Sequence, residues 1–124
     1  MPLIVGINIS PDPEKDWRKY LGNTVESVTA EFWGLDKSAV SSFFPHDPSV
    51  PTNSIATIMV ELLFDTPERT NERRREYAEK LGLAVEGFLN HRRHTTDARV
   101  EVAVKRFNPE RDGFYMTGRE PSEQ

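Results

Sequence analysis

Apolar residues at the start of the chain follow a period of two: Leu3, Val5, Ile7 and Ile9 alternate with Ile4, Gly6 and Asn8. That spacing predicts a strand over residues 1–10. Asp12-Pro13-Glu14 follows, with a side chain able to accept from free helical N–H groups and a proline that has no N–H to lose at the first helical position. The period then lengthens to three and four, with Trp17, Tyr20, Leu21, Val25, Val28 and Phe32 on one helical face. Gly34 supplies a stop. Residues 39–44 read as a short strand, and residues 46–53, with Pro48 and Pro51, as a loop. The same order then repeats. Residues 55–64 form an almost wholly apolar run, the pattern expected of a strand buried on both faces. Thr66-Pro67-Glu68 repeats the earlier cap device, and Tyr77, Leu81, Val85, Phe88 and Leu89 mark a long helix. The polar stretch 90–97 ends it, and residues 99–105 alternate again around Val100, Val102 and Val104.

The chain therefore predicts one α+β domain over residues 1–118, made of two β-α-β repeats (2–45 and 55–106) and followed by a flexible tail, 119–124. A four-stranded sheet with two helices on one face leaves its other face bare. Ile4, Ile55, Thr57 and Met59 are expected to enrich that face, so self-association is expected.

Composition narrows the function classes. Apolar residues make up 36% and charged residues 29% of 124 residues, as in a folded globular domain. With no cysteine, thiolate chemistry and disulfides are excluded. The net charge of −4 offers nucleic acid no attractive field. The runs Arg73-Arg74-Arg75 and His91-Arg92-Arg93-His94 read as solvated helix faces, with at least two of the three arginines expected in solvent although they could attract an anion at the helix start. The two histidines read as cations at a helix C-terminus rather than metal ligands. No apolar run reaches the roughly 18 residues of a membrane span, and the start of the chain does not resemble a secretory signal. No membrane partner and a cytoplasmic location are expected.

The candidate chemistry lies at position two. A small residue after Met1 normally permits removal of the initiator, which would leave Pro2 as a free secondary amine. An α-amine titrates near 7.7–8.0 in a model peptide, and burial disfavours its charged form. A base near neutral pH suits proton abstraction beside a carbonyl. No glycine-rich phosphate loop, zinc spacing or Ser/His/Asp arrangement accompanies it, and amine-based proton transfer needs no cofactor.

Met1-Pro2-Leu3-Ile4-Val5, a helix, a short strand and a second such unit resemble the tautomerase superfamily. Val60-Glu61-Leu62-Leu63-Phe64-Asp65 and the late Phe114-Tyr115-Met116-Thr117-Gly118 are most similar to a poorly characterised family within it. The resemblance implies a homotrimer whose three sheets form a barrel wrapped by six helices. It implies Pro2 as general base, or as a charged acid in the decarboxylase and dehalogenase branches, with neighbouring subunits adding residues to the site. The two arginines that the decarboxylase branch carries at its second helix correspond here to Thr66 and Glu68. The pocket lysine of the migration-inhibitory-factor branch falls near Leu35, with Lys37 within a small shift. That branch's tyrosine and asparagine on the last strand correspond to Glu101 and Ala103.

The residues themselves leave Arg106 as a fork for a carboxylate and Lys37 as a second cation. Phe64 and Tyr115 are candidate pocket walls. Glu101 could orient water or accept a proton, or belong to an interface ion pair. The expected function is cofactor-free tautomerisation or isomerisation of a small 2-oxo or enol carboxylate. Two other readings stand beside it: a catalytically silent trimer that binds a small molecule or protein, and a monomeric ferredoxin-like ligand-sensing module. The last requires a polar outer sheet face.

Overall fold

A computed structural model describes residues 1–9, 17–45 and 55–118. The Asp12-Pro13-Glu14 cap, the loop 46–53 and the tail 119–124 lie outside these described residues. Within them the chain runs β1 (Leu3–Ile7), α1 (Trp17–Trp33), a short 3-10 turn (Lys37–Ala39), β2 (Ser41–Phe43), β3 (Ala56–Glu61), α2 (Asn71–Arg93) and β4 (Val100–Val104). The strands form one sheet in the order β2-β1-β3-β4. β1 runs parallel to β2 and antiparallel to β3, and β3 runs parallel to β4. Each half is thus a β-α-β unit, and the two units meet at the central β1–β3 pair.

Local chemistry explains where the elements stop. Asn8 and Leu62 adopt positive φ (both 59°) and end β1 and β3 earlier than the apolar runs predict. Gly34 takes φ +67° after α1, where it costs no Cβ clash. The second helix does not start at Thr66-Pro67-Glu68. Those residues form a turn closed by Arg69 N donating to Thr66 O at 3.0 Å, and Thr70 caps α2 by accepting from Arg73 N. At the far end His94 caps α2 in the left-handed conformation.

Burial alternates strictly along the central strands. Ile4 and Gly6 of β1 and Ala56, Ile58 and Val60 of β3 turn toward the helices, as do Val100, Val102 and Val104 of β4. β3 is therefore not buried on both faces within one chain, and Ile4 belongs to the core rather than to the bare face. α1 contributes Leu21 and Val25 to this core, and α2 contributes Tyr77, Leu81 and Val85. The opposite face carries Leu3, Val5, Ile7 and Met59, with Thr57, Glu61 and Glu101 beside them; the edge residue Phe43 is exposed. It is apolar at β1 and polar toward β4, unlike the polar surface a monomeric sensing module requires. Among the described residues no helix is long and apolar enough to cross a membrane.

Candidate functional site

Strand register decides which residues meet. Leu3 pairs with Ser41 on one side and with Glu61 on the other, while Val60 pairs with Val104. The start of β1, the start of β2 and the ends of β3 and β4 therefore share one end of the sheet. Pro2, Lys37, Phe64, Asp65, Arg69 and Arg106 are all carried there by chain segments that enter or leave these strands.

Pro2 is fully buried, and its carbonyl accepts from Ser41 N at 3.1 Å, which extends the β1–β2 ladder by one step. The side chain of Met1 is exposed, yet its amine is partly enclosed. Burial lowers the pKa of that amine below the usual 8.0, and the positive charge of Arg69 lowers it further. The N-terminus thus sits where an amine is more readily neutral than in water.

Arg69 is the residue that sequence reasoning missed. Only 5% exposed, it donates from Nη1 to Phe64 O at 2.9 Å and lies 5.4 Å from the centre of the Trp33 ring. Trp33 is itself packed edge-on against Phe32 and Tyr77. The available signal was a cation one residue beyond Glu68, in a stretch assigned to helix; a turn in place of a first helical turn is what points it at the N-terminus.

A cleft of about 330 Å³ opens beside this group, lined by Asp65, Thr66, Pro67, Arg69, Thr70, Asn71 and Arg106. The N-terminus of α2 forms part of its wall, which favours negative charge. Asp65 organises two guanidinium groups there. Its Oδ1 accepts from Arg74 Nη2 at 2.8 Å, and its Oδ2 accepts from Arg106 Nη2 at 2.9 Å and Nε at 3.2 Å. The hydrogen bond from Arg106 holds the Asp65 carboxyl below its ordinary pKa, with the charges of Arg106 and Arg74 acting in the same sense. Arg74 is buried and also donates from Nε to Arg69 O, so the residue linking Asp65 to α2 also braces the main chain of Arg69.

The other candidates fall as follows. Phe64 is buried in a cluster with Phe107 and Phe114, with ring centres 5.8 and 5.3 Å away. Tyr115 is 84% exposed, and Phe114 takes the inward position beside it. Lys37 is exposed at the Pro2 end and donates to Asn23 Oδ1 at 3.2 Å. Glu101 pairs in register with Thr57, which faces Ile7, and accepts from the Thr57 hydroxyl at 2.8 Å. It lies four strand residues beyond Leu3, roughly 13 Å along the sheet, so a single chain does not bring it to Pro2. Among the described residues no group of three or more His, Asp or Glu side chains could hold a metal ion.

This arrangement of two β-α-β units, an N-terminal residue at the sheet end and two helices on one face is the tautomerase fold. Solved structures with the same fold include a member of the cis-3-chloroacrylic acid dehalogenase family. Its TM-score is 0.71 at 13% identity, with 98% of this chain and 84% of that chain covered. A fused 4-OT asymmetric trimer matches at 0.68, with 11% identity over 94% of each chain. The macrophage migration inhibitory factor-like protein of Entamoeba histolytica matches at 0.66, with 11% identity over 92% of this chain and 95% of that one. No protein-family model and no curated protein matches the sequence.

Proposed function

We propose that the mature chain is a cofactor-free tautomerase or isomerase of a small anionic 2-oxo or enol carboxylate, with the Pro2 amine as general base. The observation that carries this reading is the N-terminal amine held in a desolvating site beside Arg69. After removal of Met1, the Pro2 nitrogen would occupy this end of the sheet as a neutral secondary amine. It would take a proton from carbon or from the enol oxygen and return one to the other terminus of the enol system. The electron pair moves within the substrate, so no oxidant or cofactor is required. Arg69 and Arg106 would hold the carboxylate, and Lys37 stands on the same rim as a further cation.

The apolar outer face of β1 and the trimeric assembly of a fused 4-OT of the same fold support a homotrimer. In a trimer, Tyr115 and Glu101 would serve a neighbouring site rather than their own, with Phe64 backing the cleft wall through its ring cluster. We place the protein in the cytoplasm, without nucleic-acid or membrane partners.

A silent binding trimer is the second reading, and the burial of Pro2 is the observation that favours it. Intact mass together with phenylpyruvate and 2-hydroxymuconate tautomerisation separates the two. Loss of Met1 with turnover that Pro2→Ala abolishes supports the enzyme. Full activity of Pro2→Ala removes Pro2 as the base, whereas a retained Met1 or a processed protein without turnover on any enol acid favours the silent trimer.

A further inference from the structure

Arg106 is already paired with Asp65, and what it can still offer a ligand depends on which of its atoms that pair uses. A guanidinium offers two bidentate edges, one from Nε and Nη2 and one from Nη1 and Nη2. Asp65 occupies only the first, and it does so through a single oxygen. The second edge belongs to a side chain that is 58% exposed and lines the cleft.

We propose that Asp65 is a positioning residue: it grips Arg106 by its side edge so that the Nη1–Nη2 edge receives a planar carboxylate of the ligand end-on. This rests on the reading of the cleft as an anion site. Three observations converge on it. Asp65 is only 16% exposed and is itself anchored by Arg74, whose side chain is 6% exposed, so the carboxylate is a fixed support. Its main-chain N donates to Phe107 O at 2.7 Å, which ties the segment following β3 to the strand end that carries Arg106. Arg106 without this support is a long exposed side chain that must lose rotamer freedom on binding; with it, that ordering is already in place.

The sign of one effect separates positioning from simple charge. Asp65 is an anion beside an anion site, so its removal should tighten binding if it acts only through its field. If it positions Arg106, its removal weakens binding. Oxalate, a planar dianion that cannot tautomerise, is the probe, with Kd measured by titration calorimetry on wild type, Asp65→Asn, Arg106→Gln and the double variant. Loss of one charge-assisted contact is expected to weaken binding about tenfold in each single variant. The double variant should be no weaker than Arg106→Gln, because the support Asp65 gives the ligand-binding edge runs through Arg106. Asp65→Glu is expected to recover part of the loss. Unchanged or tighter binding in Asp65→Asn overturns the proposal, as does a wild-type protein that does not bind oxalate. Intact coupling in a protein without turnover leaves the positioning role standing and removes the catalytic reading. If Asp65→Asn unfolds at the assay temperature, the same cycle is run in Arg74→Met, where no buried cation is left unpaired.

Discussion

The phenol oxygen of Tyr77 lies 2.6 Å from the hydroxyl of Thr29, joining α1 to α2 through two fully buried residues. Burial pushes the Tyr77 pKa up to about 12, against the opposing effect of the Thr29 hydrogen bond, so this phenol stays protonated through neutral and mildly alkaline pH. Tyr77→Phe leaves the Thr29 hydroxyl without that partner and is expected to cost about 1–2 kcal/mol. Adding Thr29→Val removes the stranded hydroxyl, so the double variant should be more stable than the sum of the singles. Urea denaturation of the four proteins measures this directly.

Asp65 should contribute to the acid limb of stability. Its folded pKa is lowered, first by the Arg106 hydrogen bond, so its contribution is present above the ordinary carboxylate value of about 3.9 and is lost as pH falls through the lower folded value. At neutral pH, Asp65→Asn leaves Arg74 buried without its carboxylate partner and should cost about 3–5 kcal/mol. Arg106→Gln removes an exposed partner and should cost less than about 1 kcal/mol. Thermal melts at neutral and acidic pH distinguish the two, and Asp65→Asn should show the flatter acid limb.

Gly6 is required by packing rather than by backbone conformation. A Cβ there would stand 2.5 and 2.7 Å from two atoms of the Phe44 ring and 3.1 Å from Ile58. Gly6→Ala is expected to cost about 1–3 kcal/mol through overpacking. Phe44→Leu in the same chain should return much of that loss by vacating the space. A Gly6→Ala protein as stable as wild type in urea would contradict this account.

The pH profile of turnover carries the sign of the Arg69 effect. A general base works as the neutral amine, so rate is lost as pH falls through the amine pKa. Burial and the Arg69 charge both lower the pKa of the Met1 amine; a Pro2 amine in its place would feel the same two effects, so the limb is expected below the usual α-amine range of about 7.7–8.0. Arg69→Met removes the like charge, and the limb of kcat/KM should move to higher pH. Movement to lower pH, or none, would contradict the electrostatic coupling of Arg69 to the terminus.

The alternation at Leu3–Ile7 and Val100–Val104 and the helical spacing from Tyr77 to Leu89 were legible because each depends on near neighbours in the chain. The β3 run misled for the same reason. Residues 55–64 are apolar at nearly every position, yet within one chain the pleat turns only Ala56, Ile58 and Val60 to the core, and periodicity cannot say what covers Thr57 and Met59. Thr66-Pro67-Glu68 looked like a cap because its residue types suit one. The competing choice, a turn with Thr70 as cap, comes with the Phe64–Phe107 pairing, a contact between residues 43 apart in sequence (107 − 64).

By itself, then, the sequence determined two β-α-β units, their order, their apolar faces and a proline at position two. These follow from backbone sterics and hydrophobic period, which act over a few residues. Only the tertiary structure decided that Arg69 would stand beside the N-terminus, that one carboxylate at Asp65 would bind both Arg74 and Arg106, and that Glu101 would lie at the other end of the sheet. Those relations depend on strand register and on side chains packed across distant segments. A shift of one residue in either would turn a site residue to the opposite face, and local pattern carries no record of that choice.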